Sequence, residues 1–296
     1  MRISIRVFLN TDLNIADAIL QAAFQRPGSW LRELSIICNL QLAGAFLAHN
    51  HETMVGVVFL LMYPDYTYVG PLGVHPDFQR LGIGFALMEH LLKWLDEQGV
   101  TRVALDASSR GQSMYEKSGF VAFDQVNIFQ RQSDQPTSQP PPGIQRISAQ
   151  NLNLITATDH QAFGTDRSRL LHALFVAYPH RGFCLKDKKG NINGYLIVQE
   201  KYIGPWVSQT KADAELLLHA ALSLSFSNGP ISVIVPGKNS EAAELLQRFG
   251  FDKGRMLRHM VKGSRMPAWQ RENVYCKQVH RSVSFFAPYR NDQGIR

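Results

Sequence analysis

The first 130 residues combine short apolar stretches with longer segments of helical period. From Ile83 to Leu95 an apolar residue recurs at every third or fourth position, and charged residues fill the other side. This pattern predicts a long helix that Gly99 ends. The same reasoning predicts, in chain order, a strand (3–8), two helices (14–24 and 30–42), a hairpin (45–49 with 54–63), a strand (66–74), the long helix, a strand (102–107), a short helix (110–118) and a strand (120–129).

A tight glycine turn joins the strand that ends at Val74 to the long helix. Gln79, Gly82 and Gly84 form the pattern Gln-x-x-Gly-x-Gly. Glycine lets the backbone approach a ligand without an intervening Cβ, and the first N–H groups of a helix have no intrahelical partner. Because the positive end of the helix dipole lies behind those donors, the turn suits a pyrophosphate.

Two features of the turn narrow the identity of its phosphate ligand. No Lys followed by Ser or Thr comes after Gly84, which excludes a nucleoside-triphosphatase P-loop, and Leu87 stands where a dinucleotide fingerprint has its third small residue. The remaining pattern resembles the acetyl-CoA loop of the GNAT N-acetyltransferases. The predicted elements also follow the order of a GNAT domain, so the resemblance covers residues 1–131.

The resemblance implies a set of site residues. GNAT enzymes place a Tyr near the CoA sulfur, four residues before a Gly-Phe pair, and Tyr115 precedes Gly119-Phe120 at that spacing. Tyr115 is then the general acid for the leaving thiolate, since a Tyr hydroxyl with a pKa of about 10 carries a transferable proton. The alternative is a helix residue with its hydroxyl at the surface. The backbone N–H of Val74 is the implied donor to the thioester oxygen. The implied cofactor-binding residues are Leu72, Gly73, Val74, Gln79, Arg80, Leu81, Gly82, Ile83, Gly84, Phe85, Ser108 and Tyr115.

Two further points of the implied chemistry stay open. Many GNAT members have Asn where Ser108 stands and Ala where Gly111 stands, so the side-chain contacts to the pantetheine arm are undecided. The amine must also lose a proton. Asp65, Tyr66 and Asp106 lie at predicted strand ends and could accept it directly or through ordered water, or could simply be turn or solvated residues.

The second half of the chain repeats the first. Residues 132–143 are polar and proline-rich, which predicts an extended linker between two domains. Several matches in the same order then predict a GNAT-like domain over 144–265, followed by a tail over 266–296. The matched stretches are Ala22–Phe24 with Gln161–Phe163, Met54–Leu60 with Ile192–Val198, Tyr68–Pro71 with Tyr202–Pro205, and Ser118–Phe120 with Phe249–Phe251. In the tail, Ser284–Phe286 either docks as a strand or stays loose.

The second copy has lost the features of a CoA site. No glycine loop follows Gly204-Pro205-Trp206, and the next helix is expected to be capped by Ser208 or Thr210. Leu246 or a neighbour stands where the first copy has Tyr115. Because side chains would crowd a pyrophosphate there, we expect this domain to be a structural partner or a wall of the acceptor site.

Three residues of the second copy allow more than one role. The stretch Ala162–Arg167 resembles an Ala-Phe-Gly-x-Asp-Arg segment in the C-terminal half of tandem GNAT proteins. Asp166 and Arg167 could select a substrate carboxylate or amine. Alternatively, Thr165 or Asp166 caps a helix and Arg167 is exposed. Trp206 is either a buried core aromatic or part of a pocket wall.

Composition and charge agree with an intracellular enzyme. The 296 residues are 45% hydrophobic, which allows two domains with a large core. A net charge of +7 and a pI near 9.4 come from dispersed Lys and Arg, which indicates attraction of polyanionic acetyl-CoA rather than a nucleic-acid partner. The first twenty residues contain no long apolar run, so we expect neither a signal peptide nor a membrane anchor, and a cytoplasmic location. Cys38, Cys184 and Cys276 lack metal-ligand spacing, which predicts reduced thiols and no metal.

The sequence therefore predicts an α/β fold of two tandem GNAT-like domains, each a mixed, mostly antiparallel twisted sheet flanked by helices. The N-terminal domain is expected to transfer an acetyl group from acetyl-CoA to a small-molecule or peptide amine by direct attack in a ternary complex, while the C-terminal domain shapes the acceptor pocket. The alternatives are transfer to a larger amine such as a thiol-cofactor precursor, or a non-catalytic acyl-CoA sensor or interaction module. A monomer and a homodimer are both compatible with the sequence.

Overall fold

The structure is a computed structural model, and it describes residues 3–25, 28–41, 44–132, 139–227, 229–263 and 274–276. The strands are β1 (Ile3–Val7), β2 (Phe46–Asn50), β3 (Thr53–Met62), β4 (Thr67–Val74), β5 (Arg102–Ala107), β6 (Val121–Gln132), β7 (Gln145–Arg146), β8 (Gly182–Lys186), β9 (Ile192–Val198), β10 (Ile203–Ser208), β11 (Pro230–Pro236), β12 (Asp252–Gly263) and β13 (Val274–Cys276). The helices are α1 (Leu13–Phe24), α2 (Leu31–Gln41), α3 (Ile83–Glu97), α4 (Gln112–Lys117), α5 (Ala149–Phe163), α6 (Ser168–Ala177), α7 (Lys211–Leu222) and α8 (Ser240–Arg248).

Each element that the sequence predicts in the N-terminal half is present, and the mixed, mostly antiparallel α/β architecture is confirmed. The predicted linker begins with Gln132, which is the last residue of β6. Residues 133–138 of that linker and the predicted tail strand at Ser284–Phe286 lie outside the described residues. The domain limits proposed from the sequence stay a prediction.

The chain packs as two compact units. The first unit consists of residues 1–61 and 69–100, and the second consists of residues 62–68 and 101–279, in each case as far as the residues are described. The fourth strand, β4, therefore begins in the second unit and ends in the first. We describe each unit by itself.

In the first unit, glycines mark the places where helices approach the sheet. The strand order is β1-β2-β3-β4, with β2 antiparallel to both β1 and β3. A Cβ at Gly56 of β3 would lie 3.1 Å from the Leu87 side chain of α3. A Cβ at Gly73 of β4 would lie 2.7 Å from Leu20 of α1. Because these approaches leave no room for a Cβ, the glycines set how closely α1 and α3 pack on the strands.

In the second unit, the two halves of the chain exchange strands. Four strands of one sheet have the order β5-β12-β6-β11, and Thr67 and Tyr68 at the start of β4 pair with β5 in parallel. Strand β12 comes from the C-terminal half, yet it lies between β5 and β6 of the N-terminal half and is antiparallel to both. Strand β11 then pairs with β6. The other sheet has the order β13-β10-β9-β8-β7.

The sequence repeat is also a repeat of backbone structure. The N–H of Phe120 donates to the carbonyl of Tyr115 over 3.0 Å, and the N–H of Phe251 donates to the carbonyl of Leu246 over 3.0 Å. The same turn therefore follows α4 and α8. Gly-Pro peptide bonds with the cis geometry occur in the two matching strands, at Gly70–Pro71 and Gly204–Pro205.

Candidate functional site

The glycine loop leads into α3 through two residues with left-handed backbone. Arg80 has a φ of 62° and Gly82 has a φ of 82°. Gly82 is the residue before α3, which therefore begins without a side-chain cap, and the first helical hydrogen bond runs from Ala86 N–H to the Gly82 carbonyl over 2.9 Å. No atom lies within 4 Å of a Cβ built on Gly82. The backbone conformation, rather than crowding, is thus what requires glycine here.

Gln79 fixes the exit of β4. Its Nε2 donates to the carbonyl of Val74 over 2.9 Å, while the N–H of His75 donates to the carbonyl of Val55 on β3 over 2.8 Å. Successive residues of a strand direct their backbone groups to opposite sides. The Val74 N–H and C=O therefore point away from β3, on the side where Gln79 lies.

The remaining predicted loop residues differ in exposure. Arg80, Leu81 and Phe85 are exposed, Leu72 and Gly84 are half-buried, and Gly73 and Ile83 are buried against the helices and the sheet. The first unit therefore brings all the predicted cofactor-binding residues from Leu72 to Phe85 onto one strand–loop–helix segment. Their predicted contacts with acetyl-CoA stay a prediction.

Ser108 and Tyr115 belong to the second unit. The Gly111 N–H is 3.3 Å from Ser108 Oγ, so the Ser108 side chain stabilises the turn that begins α4. A Cβ at Gly111 would lie 3.1 Å from the Tyr115 ring, which means that Gly111 admits that ring at close range. Tyr115 is buried and also contacts the Phe120 ring edge-on, at 6.1 Å between centroids. The ring is thus packed in the interior, and the choice between a general acid and a residue with its hydroxyl at the surface stays a prediction.

Burial raises the pKa of Tyr115 to about 12. The cause is desolvation, which disfavours the phenolate relative to the neutral phenol. Tyr115 is therefore protonated over the whole neutral pH range, as a hydrogen-bond or proton donor must be. It is also a weaker acid than the ordinary Tyr on which the sequence prediction relied.

A buried chain of hydrogen bonds connects three strands of the second unit. The Asp106 carboxylate on β5 accepts a hydrogen bond from the Tyr68 hydroxyl over 2.7 Å, and its other oxygen lies 2.6 Å from Nδ1 of His259. His259 is on β12 and pairs directly with Asp106 in the sheet. The sequence indicated Asp65, Tyr66 and Asp106 as residues that could accept the proton of the amine. Of these three, Asp106 is the one that contacts a histidine. Asp65 is exposed.

Arg167 is the centre of a second buried cluster. Its Nε and Nη2 donate to both oxygens of Asp159 over 2.9 and 2.6 Å, its guanidinium lies 3.4 Å from the centroid of the Phe163 ring, and Tyr195 also donates to Asp159. Burial alone would lower the pKa of Arg167, but Asp159 outweighs that effect and holds the pKa above its ordinary value. Arg167 is 1% exposed, so the expectation of an exposed side chain is wrong.

The other open roles of the C-terminal half are resolved by burial and capping. Asp166 accepts a hydrogen bond from the N–H of Ser168, the first residue of α6, over 2.8 Å. Arg167 occupies the cap position itself and makes no side-chain cap hydrogen bond, so the expectation that Thr165 or Asp166 caps this helix is wrong. Trp206 is fully buried and its indole N–H lies 3.2 Å from Ser208 Oγ, so it is a core aromatic. The Thr210 hydroxyl accepts a hydrogen bond from the N–H of Asp213 over 3.1 Å, so Thr210 and not Ser208 caps α7.

The second copy therefore lacks the open helix start of the first. At α3 the residue before the helix is a glycine without a cap, whereas at α7 a threonine hydroxyl and the Asp213 carboxylate occupy the corresponding position. A carboxylate in the first turn also repels a second anion. Leu246 is buried in α8, where it cannot supply a hydroxyl.

Cysteines, metal-ligand groups and apolar helices add little to the site. Cys38 and Cys184 are free and buried, and burial raises the pKa of Cys38 to about 11. The side chain of Cys276 is outside the described residues. Across the described ranges, no three His, Cys, Asp or Glu side chains are grouped so that they could hold a metal ion. None of the helices that the structure describes combines the length and apolar character needed to cross a membrane.

Comparisons with known proteins identify both halves. Residues 13–120 match the model of the Acetyltransferase (GNAT) family, and residues 155–276 match the model of the Acetyltransferase (GNAT) domain. Similar proteins are the uncharacterized N-acetyltransferase YitH of Bacillus subtilis (27% identity, 71% of this chain and 75% of the relative) and the holothin acyltransferase of a Pseudoalteromonas species (26% identity, 73% of each).

Solved structures of other proteins share this fold over nearly the whole chain. A candidate acetyltransferase from Pyrococcus horikoshii superposes with a TM-score of 0.80 at 25% identity, covering 93% of both chains. A GCN5-related N-acetyltransferase from Sphaerobacter thermophilus shares the fold, with a TM-score of 0.68 at 17% identity over 90% of this chain and 97% of that one. The chain therefore belongs to the GNAT acetyltransferase family, carries two GNAT domains in tandem, and is an acyltransferase.

Proposed function

We propose that the chain transfers an acetyl group from acetyl-CoA to an amine by direct attack in a ternary complex, with the chemistry in the N-terminal GNAT domain. The observation that carries the proposal is the start of α3. Gly82 has a φ of 82°, and the helix behind it begins without a side-chain cap. The N–H groups of the first helical turn can therefore donate to a pyrophosphate, and the exposed Arg80 adds positive charge beside them.

The end of β4 supports a donor to the thioester oxygen. Because His75 N–H bonds to β3, the preceding Val74 N–H points to the opposite side of the strand. Gln79 holds the Val74 carbonyl at 2.9 Å and so restricts rotation of this peptide. In the proposal, the Val74 N–H stabilises the negative charge that builds on the carbonyl oxygen during attack.

The proposed reaction forms one C–N bond and breaks one C–S bond. A neutral amine attacks the acetyl carbonyl, the tetrahedral intermediate expels the CoA thiolate, and the amine nitrogen loses a proton to a base. Tyr115 donates its hydrogen to the departing sulfur. A free thiol has a pKa of about 8.5, and the gap to a phenol of pKa about 12 corresponds to roughly 5 kcal/mol in favour of the phenol keeping its proton. Tyr115 therefore acts mainly as a strong hydrogen-bond donor, and it completes the proton transfer only when the sulfur is equally desolvated.

We assign the C-terminal GNAT domain to the acceptor side. Its α7 is capped by Thr210 and begins with the acidic Asp213, which opposes binding of a second acetyl-CoA. Within the second unit, Asp106 and Tyr68 of the N-terminal half form a buried hydrogen-bonded chain with His259 of the C-terminal half. Both halves thus contribute to the same buried polar region.

A larger amine is the second candidate acceptor. It is favoured by one relative, whose name is holothin acyltransferase and which matches this chain over 73% of each length.

The test is release of free thiol from acetyl-CoA over a panel of primary amines, amino acids, polyamines and peptide N-termini, with the product identified by mass spectrometry. We expect thiol release that depends on the amine, together with an acetylated product. Binding of CoA without acetylation of any panel member would contradict the proposal. The Gly84→Glu variant, which fills the loop and adds a like charge, should bind no acetyl-CoA.

A further inference from the structure

The Asp106–His259 pair has the geometry of an oriented base. Nδ1 of His259 lies 2.6 Å from one carboxylate oxygen, and the Tyr68 hydroxyl donates to the other oxygen over 2.7 Å. Asp106 and His259 are both buried. A carboxylate that receives Nδ1–H fixes the tautomer in which Nε2 carries the lone pair, and it stabilises the imidazolium that forms when Nε2 accepts a proton.

A second, independent feature that indicates a bound ligand is a buried hydroxyl group without a hydrogen-bond partner. Tyr66 is 2% exposed, and its hydroxyl has no hydrogen-bond partner among the residues that the structure describes. A buried hydroxyl without a partner costs about 1–3 kcal/mol, which a ligand that supplies a partner would recover. Burial raises the pKa of Tyr66, and the carboxylates of Asp159 and Asp106 raise it further, against the lowering effect of Arg167. Tyr66 directly precedes β4 and is two positions before Tyr68, and alternate residues of an extended chain share a face. Tyr66 therefore lies on the side of the chain that carries the Tyr68 hydrogen bond to Asp106.

The charged neighbours of His259 come from each strand packed against it. On β5 the neighbour is Asp106, on β6 the cross-strand partner is Asp124, and on β4 the nearest titratable group in the hydrogen-bonded chain is the Tyr68 hydroxyl. The Phe123 ring on β6 contacts the imidazole edge-on. Acidic groups thus flank the imidazole on two strands, which favours the protonated ring once a proton has been transferred.

We infer that His259, oriented by Asp106, takes the proton that the acceptor amine loses, and that the Tyr66 hydroxyl binds the acceptor beside it. This inference rests on the proposed function and adds a base and an acceptor class to it. His259 is then a catalytic residue, because Nε2 contacts the amine, and Asp106 is a positioning residue. The sequence could not connect them, since 153 positions separate Asp106 from His259.

The proton balance follows from the same geometry. The acceptor arrives as an alkylammonium and one N–H proton passes to Nε2. The neutral amine then attacks the thioester, and the second proton that the nitrogen loses as the amide forms replaces the proton that Tyr115 gives to the departing thiolate. For a free alkylammonium (pKa about 10.4) and a free imidazole (pKa about 6.5) this transfer is uphill by roughly 5 kcal/mol. Burial disfavours the ammonium, and the adjacent Asp106 stabilises the imidazolium, so both effects reduce that cost.

The charges around the site define the class of acceptor. Asp106 and the flanking Asp124 attract a cation, and the rings of Tyr63 and Tyr66, 5.2 Å apart between centroids, provide aromatic surface. The guanidinium of Arg167 is already bound through two nitrogens to Asp159, which excludes it as a receptor for a substrate carboxylate. The acceptor that fits is a primary amine without a carboxylate on the carbon that carries the nitrogen.

The first test compares matched amines and amino acids on the wild-type chain. Tyramine is paired with tyrosine and cadaverine with lysine, at saturating acetyl-CoA. We expect at least one amine to be acetylated with a kcat/KM at least tenfold above that of its amino acid. Equal or better use of the amino acids, or no turnover of either amine, would overturn the inference. The broader panel described above tests the proposed function separately, because acetylation of a peptide N-terminus would support that function and still refute this acceptor class.

The second test is the His259→Gln variant. Glutamine can still donate to Asp106, so the thermal unfolding temperature should stay close to that of the wild type, but it cannot accept the proton. We expect kcat to fall by about 10²–10⁴ and the acidic limb of the pH profile of kcat/KM to disappear. His219→Gln, which changes an exposed histidine on α7, is the matched control and should leave both unchanged. A His259→Gln protein that keeps its acidic limb and its kcat would refute the assignment.

Tyr66→Phe gives a readout that is independent of His259. Removing a hydroxyl without a protein partner should not lower the unfolding temperature, whereas Tyr68→Phe removes a hydrogen bond to Asp106 and should lower it. We expect Tyr66→Phe to raise KM for the accepted amine about five- to tenfold and to leave KM for acetyl-CoA unchanged. An unchanged amine KM in the folded variant would show that the hydroxyl does not bind the acceptor.

Discussion

The left-handed conformation of Gly82 allows a quantitative test of the acetyl-CoA loop. A Cβ at this position would meet no atom within 4 Å, so Gly82→Ala introduces backbone strain without a clash. An alanine in the left-handed region costs roughly 1–2 kcal/mol. The loop can relieve that strain by leaving the left-handed conformation, which would turn the first N–H groups of α3 away from the pyrophosphate.

The expected size of the effect follows from the strain. If the binding conformation is disfavoured by roughly 1–2 kcal/mol, its population falls by a factor of roughly 5–30, and the apparent affinity for acetyl-CoA falls by the same factor. Steady-state kinetics with varied acetyl-CoA, together with calorimetric binding of CoA, measures this change. We expect KM for acetyl-CoA to rise five- to thirtyfold.

Gly99 supplies a matched control at the other end of the same helix. It has a φ of 72°, and a Cβ there would also meet no atom within 4 Å. Gly99→Ala should therefore lower the free energy of unfolding by a similar amount and leave acetyl-CoA binding unchanged. If Gly82→Ala and Gly99→Ala alter KM for acetyl-CoA equally, the effect is one of general stability, and the reasoning about the loop is refuted.

Three further predictions concern other parts of the chain. Tyr115→Phe should lower kcat at least tenfold with acetyl-CoA affinity nearly intact, because the ring contacts remain and only the donor to the sulfur is lost; stopped-time thiol release measures it. Thr210→Ala should lower the free energy of unfolding by about 1 kcal/mol through loss of the α7 cap, with no change in KM for acetyl-CoA. Arg167→Met should lower the free energy of unfolding by about 3–5 kcal/mol, because it leaves Asp159 as an unpaired buried carboxylate; denaturant titration measures it.

Each of these predictions has an outcome that would contradict it. Equal losses of kcat and acetyl-CoA affinity in Tyr115→Phe would make Tyr115 a packing residue. Weaker acetyl-CoA binding in Thr210→Ala would place the ligand in the C-terminal half. For the buried pair, an Arg167→Met/Asp159→Leu double variant should lose less stability than the sum of the single changes, and strict additivity would show that the two groups are not coupled.

The N-terminal half could be predicted because its elements are local. The period of α3 and the glycines around it appear in consecutive residues, and the turn between Tyr115 and Phe120 is fixed by a four-residue spacing. The matches between the two halves of the chain are likewise short stretches of consecutive residues. For the residue that caps α7, the sequence left two alternatives, Ser208 and Thr210, and the structure shows that it is Thr210.

The exchange of β12 could not be predicted, because strand pairing between distant segments leaves no local pattern. The contact of Asp106 with His259 depends on that exchange, so the base that we infer was absent from the candidates. The buried pairing of Arg167 with Asp159 was missed for a different reason. Asp159 lies on the same helical face as the buried Phe163, four residues later, and an acid on an apolar face requires a buried cation. That signal was present in the sequence.

The most direct test of the central claim is a crystal structure of the chain grown with acetyl-CoA. The account predicts one ligand per chain, with its pyrophosphate accepting hydrogen bonds from the first N–H groups of α3 beside Gly82. A ligand bound at the start of α7, or no ligand at either helix under conditions that support turnover, would contradict it.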